Sequence, residues 1–164
     1  MPFDTRMNMY NTRVMPYFNY CSTVWGNIGK RLSDKIQKQQ NRAARILTFS
    51  NDETRSSVLL DELGWERLEV IKFKQLAIIM YKIHNNLSPS YLRQIFTNTS
   101  NVHAHNLRNS EINCYVPRQG TEYAKGLHYR GSVLWNKIPS ETRHLPSLKV
   151  LKTSLNGKDY FSVQ

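Results

Sequence analysis

Cysteine is scarce: Cys21 and Cys114 are the only two in 164 residues. Two cysteines with no C-x-x-C spacing exclude a disulfide framework and read as reduced, mostly buried thiols of an intracellular protein. Long apolar runs are missing as well. The longest, Leu76 to Tyr81, falls far short of the roughly 20 residues that span a bilayer. The opening residues MPFDTRMNMYNTR have no apolar centre, so they are not expected to act as a secretory signal. No Asp-Asp pair occurs, and no Ser or Cys stands in a recognisable nucleophile motif. Gly126 and Gly131 flank Tyr129-Arg130 without making a phosphate-cradling loop. Internal repeats and low-complexity tracts are absent.

Acidic residues are few, 12 against 23 Lys and Arg, for a net charge of +11 and a pI near 9.8. Such a balance favours polyanionic partners and says nothing about fold. Half of the acids lie in residues 52–69, as Asp52, Glu53, Asp61, Glu62, Glu66 and Glu69. From residue 70 onward thirteen Lys and Arg face four acids, so the positive field belongs to most of the chain. A hydrophobic fraction of 40% and an aromatic fraction of 11% suit one folded domain with a modest core.

The charge is most ordered in Arg31–Leu47. At roughly 100° per residue, Arg31, Lys35, Lys38, Arg42 and Arg45 share one narrow helical face. Leu32, Ile36, Ala43, Ile46 and Leu47 are expected to form a buried face beside it, and Gln37, Gln40 and Asn41 a neutral polar one. Each like-charge pair at this spacing costs about 0.2–0.5 kcal/mol, so something anionic should offset the stripe. A nucleic-acid backbone fits, since cations rising about 5 Å apart can track successive phosphates. An acidic helix from residues 52–69, packed alongside, fits as well.

The remaining pattern is mainly helical. Residues 5–25 read as an aromatic-rich helix that Pro16 kinks or divides. Ser33 is a candidate cap of the basic helix, and Ser56 or Ser57 of a short helix that Gly64 ends. Residues 66–85 are apolar nearly all round and predict the most buried helix, followed by a short one over Ser90–Phe96. Ile112–Val116 and Gly126–Tyr129 look like two short β pieces around Pro117 and Gly120. Ser132–Lys137 predicts helical turns holding Trp135, and Ser147 a cap for a last helix with Leu148, Leu151 and Leu155 inward. The expected fold is a bundle of about five helices with a small β-hairpin-like insertion in the C-terminal third. Residues 1–96 make a helical, thumb-like domain, 97–111 a polar loop, and 112–164 the β pieces and final helices.

Several stretches, in order, resemble one family. They are Pro16-Tyr-Phe-Asn-Tyr-Cys-Ser-Thr-Val-Trp-Gly26, Gln39-Gln-Asn-Arg-Ala-Ala-Arg-Ile-Leu47 and Leu63-Gly-Trp-Glu-Arg-Leu68. Then come Met80-Tyr-Lys-Ile-His-Asn-Asn-Leu87, Pro89-Ser-Tyr-Leu92, Tyr129-Arg-Gly131, Trp135-Asn136 and Ile138-Pro139. Together, over residues 9–155, they resemble the segment after the palm in non-LTR (LINE-like, jockey type) retrotransposon reverse transcriptases. The resemblance implies a thumb-type segment that helps to hold a template–primer duplex. It places Arg42, Arg45, Tyr129 and Arg130 within family-like stretches, whereas Arg31, Lys35 and Lys38 rest on periodicity alone. The palm, with its aromatic-x-Asp-Asp turn for two metal ions, is missing, as is the endonuclease half. The chain is therefore expected to be non-catalytic by itself and to need no cofactor.

Other chemistry is less well supported. His103-Ala-His105 with Cys114 downstream has no ordinary zinc spacing. Trp25, Trp65 and Trp135 can stack on bases, but amid apolar neighbours they read first as core. The expected function is sequence-independent binding of RNA, DNA or their hybrid, in the nucleus or cytoplasm, without a membrane. The rival is a structural or protein-interaction remnant whose Tyr17–Trp25 surface self-associates or docks on the missing palm.

Overall fold

The computed structural model describes residues 1–102, 113–118 and 126–157. His103, His105, Ile112 and Gly120 lie outside them, so the histidine-pair reading and much of the hairpin reading do too. The described residues are mainly helical and contain no β-strand; Asn98 and Cys114 form an isolated antiparallel bridge. No described helix is long and apolar enough to cross a membrane. The chain divides into two compact units, Met1–Lys72 and Phe73–Gln164.

In the first unit, α1 (Phe3–Met9) runs through a π-helical turn (Tyr10–Val14) into α2 (Met15–Asn19). Pro16 lies in the first turn of α2, where its missing N–H and its clash with the preceding turn are accommodated by the widened π segment. Cys21 then takes a left-handed backbone (φ 49) and starts α3 (Ser22–Trp25), so residues 5–25 are three short helices. Next come α4 (Lys30–Thr48) and α5 (Ser56–Glu62), which Gly64 closes with φ 64.

The α4 faces differ from the expected ones. Gln40, Ala44 and Leu47 are its buried residues, whereas Leu32 and Ile46 are 52% and 61% exposed. The correction has a polar cause. Gln40 Nε2 donates to the Glu66 carbonyl (2.9 Å), and Gln40 Oε1 accepts from Gln37 Nε2 (2.7 Å). Gln37 Oε1 in turn accepts from the Leu68 N–H (3.0 Å), the first residue of α6 (Leu68–His84). A buried amide is tolerated when its donors and acceptors are satisfied, and here they fix the start of α6. Ser33 lies inside α4 and accepts from Lys72 Nζ (3.2 Å) instead of capping the helix. Ala44, Leu59 and Leu60 form the apolar centre with Leu63 and Trp65, and Tyr10 stacks on Trp65 at 4.0 Å.

The second unit is built on α6 from Phe73 onward. Its Leu76, Ala77, Met80, Tyr81 and Ile83 are buried with Phe96, Cys114, Leu134, Trp135, Ile138, Leu151 and Leu155. The other helices here are α7 (Ser90–Ile95), α8 (Leu127–Lys137), α9 (Ser140–Arg143) and α10 (Leu148–Gly157). Gly126–Tyr129, expected as a β piece, is instead the N-cap and first turn of α8. Gly131 does not break α8 but brings it close to α6: a Cβ there would stand 2.6 Å from Met80 Sδ. The Ser147 hydroxyl accepts from the Val150 N–H (3.3 Å), the expected cap of the last helix. Tyr81 donates to the Leu145 carbonyl (2.6 Å), and Asn136 holds both backbone groups of Cys114 (2.9 and 2.8 Å).

Candidate nucleic-acid interface

With Gln40 and Ala44 inward, the helical period turns Arg31, Lys35, Lys38 and Arg42 to the far side of α4. All four are exposed, and none makes an ion pair with a described residue. At 1.5 Å per residue they rise by about 6, 4.5 and 6 Å, a row of about 16 Å. One acid, the exposed Asp34, lies on the same helix. The acids of residues 52–69 leave these four alone.

Arg45 is different. It is half-buried, its Nε lies 3.7 Å from Asp52, and its Nη2 donates to the Thr54 carbonyl (3.4 Å) and Ser56 Oγ (3.3 Å). It ties the loop after α4 to the helix. Of the stretch Gln39–Leu47, Gln40, Ala44, Arg45 and Leu47 are thus engaged within the fold and Arg42 faces solvent.

Tyr129 and Arg130 are in the second unit, on the first turns of α8, and both are half-buried. Burial lowers the Arg130 pKa from its ordinary value.

Another cluster of chemistry-bearing groups lies in the second unit. His84 Nε2 is 3.1 Å from Cys114 Sγ, its ring stacks on Trp135 at 4.5 Å, and Arg143 donates to Asn113 Oδ1 (2.9 Å) nearby. Burial, with a smaller contribution from the Arg143 charge, pulls His84 down to about 4. Burial pushes the Cys114 thiol up to about 11. At neutral pH the pair is therefore a thiol and a neutral imidazole, and the thiolate a nucleophile requires is scarce. Beside it lies a cavity of about 230 Å³ lined by His84, Arg93, Phe96, Asn98 and Asn101. Among the described residues no group of three His, Cys, Asp or Glu is placed to hold a metal.

Around α2 and α3 of the first unit, Tyr17 (79%), Tyr20 (77%) and Val24 (73%) are strongly exposed. Trp25 beside them is half-buried, donates to the Tyr20 carbonyl (2.6 Å) and carries the Lys72 ammonium 4.7 Å over its ring. Phe49, at the end of α4, is 76% exposed and was not singled out by composition or motif. Its spacing of four residues from Arg45 was the available signal. No family model, curated protein or solved structure matches this chain.

Proposed function

We propose that the chain is a non-catalytic, post-palm fragment of a non-LTR retrotransposon reverse transcriptase that binds nucleic-acid backbone without sequence preference. The observation that carries the binding is the row Arg31, Lys35, Lys38 and Arg42: exposed, in helical register, opposite the buried face, and without an ion pair among the described residues. A folded helix that keeps four like charges together accepts a repulsion that phosphates would offset. Phosphate contacts of this kind position a duplex or strand and carry no base information. The ancestry rests on the ordered stretches from Pro16 to Pro139, and an intracellular location, nuclear or cytoplasmic, follows from it. Tyr129 and Arg130 are secondary candidates, since half-burial leaves less of each for a ligand.

The test is fluorescence anisotropy with labelled duplexes of unrelated sequence and with an RNA–DNA hybrid. Replacing Lys35, Lys38 and Arg42 by Gln should weaken binding to all probes alike while helicity stays unchanged. Equal affinity of parent and variant would contradict the reading.

A second reading is favoured by Tyr17, Tyr20 and Val24, whose exposure suits a surface once covered by protein. On that reading the fragment self-associates or takes a protein partner. A salt-insensitive oligomer in light scattering would support it, and a monomer that shifts on adding duplex would contradict it.

A further inference from the structure

Phe49 extends the cationic row. Positions 31, 35, 38, 42, 45 and 49 step by four and three residues, so the backbone of Phe49, the cap just past α4, follows the face that carries the cations, with Arg45 between drawn to Asp52. The backbone turns left-handed there (φ 54, ψ 30), and the N–H groups of Phe49 and Ser50 both reach the Arg45 carbonyl. Glycine or asparagine usually fills this place, because a Cβ crowds the neighbouring carbonyl in a left-handed turn. A phenylalanine here is locally unfavourable and recovers little burial, since 76% of it stays exposed. The Arg6 guanidinium lies 3.8 Å from the ring centroid, and Arg6 Nε and Nη1 have no hydrogen-bond partner. One face of the ring is thus held by a cation, and the exposure leaves the opposite face to solvent.

We infer that Phe49 is a stacking platform for an unpaired nucleobase, so that the site prefers single-stranded segments to blunt duplex. The inference rests on the nucleic-acid reading of the α4 row and deepens it. Paired bases keep their π-faces stacked inside the duplex, whereas an unpaired base has a free π-face that stacks on an aromatic ring whatever its sequence. The cations lead a strand along α4 to the ring, and the Arg6 contact limits the rotamer freedom lost on binding. An apolar protein partner fits less well, because covering Phe49 would desolvate the Arg6 guanidinium held against its ring.

The experiment compares the full chain with Phe49→Gly and Phe49→Leu on two labelled probes at one salt concentration, an oligo(dT) strand and a blunt duplex. Both variants should bind the strand about 5- to 100-fold more weakly and the duplex within about twofold of the parent. Phe49→Gly should melt no lower than the parent, because glycine suits the left-handed turn. Equal losses on both probes, no loss on the strand, or a Phe49→Leu variant as tight as the parent would overturn the platform alone. A parent chain that binds neither probe would overturn the α4 reading and the platform together.

Discussion

Gln37 donates its side-chain amide to Gln40 at 2.7 Å, and between them the two glutamines hold the Glu66 carbonyl and the Leu68 N–H at the start of α6. The pair sets the rotation of α4: with Gln40 inward, the cations must face out.

Replacing Gln40 by Ala removes the bond from its amide to the Glu66 carbonyl and opens space in a site that is 0% exposed. A loss of about 1–3 kcal/mol is expected, read from urea denaturation. Arg42→Gln, on the opposite face, should change stability by less than about 0.5 kcal/mol.

Gly131→Ala tests the close approach in the second unit. The new methyl meets the buried Met80 Sδ at 2.6 Å and the Phe96 ring at 3.1 Å, and overpacking of this kind costs about 1–3 kcal/mol. Pairing it with Met80→Ala should cost less than the two changes summed, because each relieves the other.

Acid should weaken the second unit through His84. Its folded pKa of about 4 lies below the ordinary 6.5, so the unfolded chain binds the proton first. The neutral imidazole's contribution is fully present above pH 6.5 and is lost as pH falls from there to about 4. Between pH 6.5 and 5 the loss should be about 1 kcal/mol, roughly half the full linkage value, because the ring keeps some solvent contact. His84→Gln should show a flatter profile over that interval in pH-dependent melts. A profile identical to the parent's would contradict the assignment.

The two thiols should separate cleanly. Cys21 is exposed and Cys114 is 1% exposed with a pKa near 11, so an aromatic disulfide reagent should titrate one thiol per native chain. The second should react only after denaturant is added. Two thiols reacting at equal rates would contradict the burial of Cys114.

Much of this was legible in the sequence where a single physical signal acted alone. The all-round apolar character of residues 66–85 announced α6, and Ser147 announced the cap of α10. The burial of Gln40 is not legible there, because it depends on a partner 26 residues away, which helical periodicity does not carry. Gly126–Tyr129 is ambiguous in the sequence because so short a run has no length to distinguish helix from strand, and Gly131 serves packing in α8. Of the candidate interface, Arg31, Lys35, Lys38 and Arg42 were placed outward as the spacing implied. Arg45 was not, because its partners lie on a loop whose course the sequence leaves open. Phe49 carries only the signal of its four-residue spacing from Arg45, because its left-handed backbone and its contact with Arg6 depend on tertiary structure.

The salt dependence of duplex binding tests the α4 row most directly. Four phosphate contacts predict a slope of log K against log[salt] of about −3 to −4, falling in size by about 0.7–0.9 for each of Arg31, Lys35, Lys38 and Arg42 replaced by Gln. A slope near zero, or one that the four replacements leave unchanged, would contradict the account.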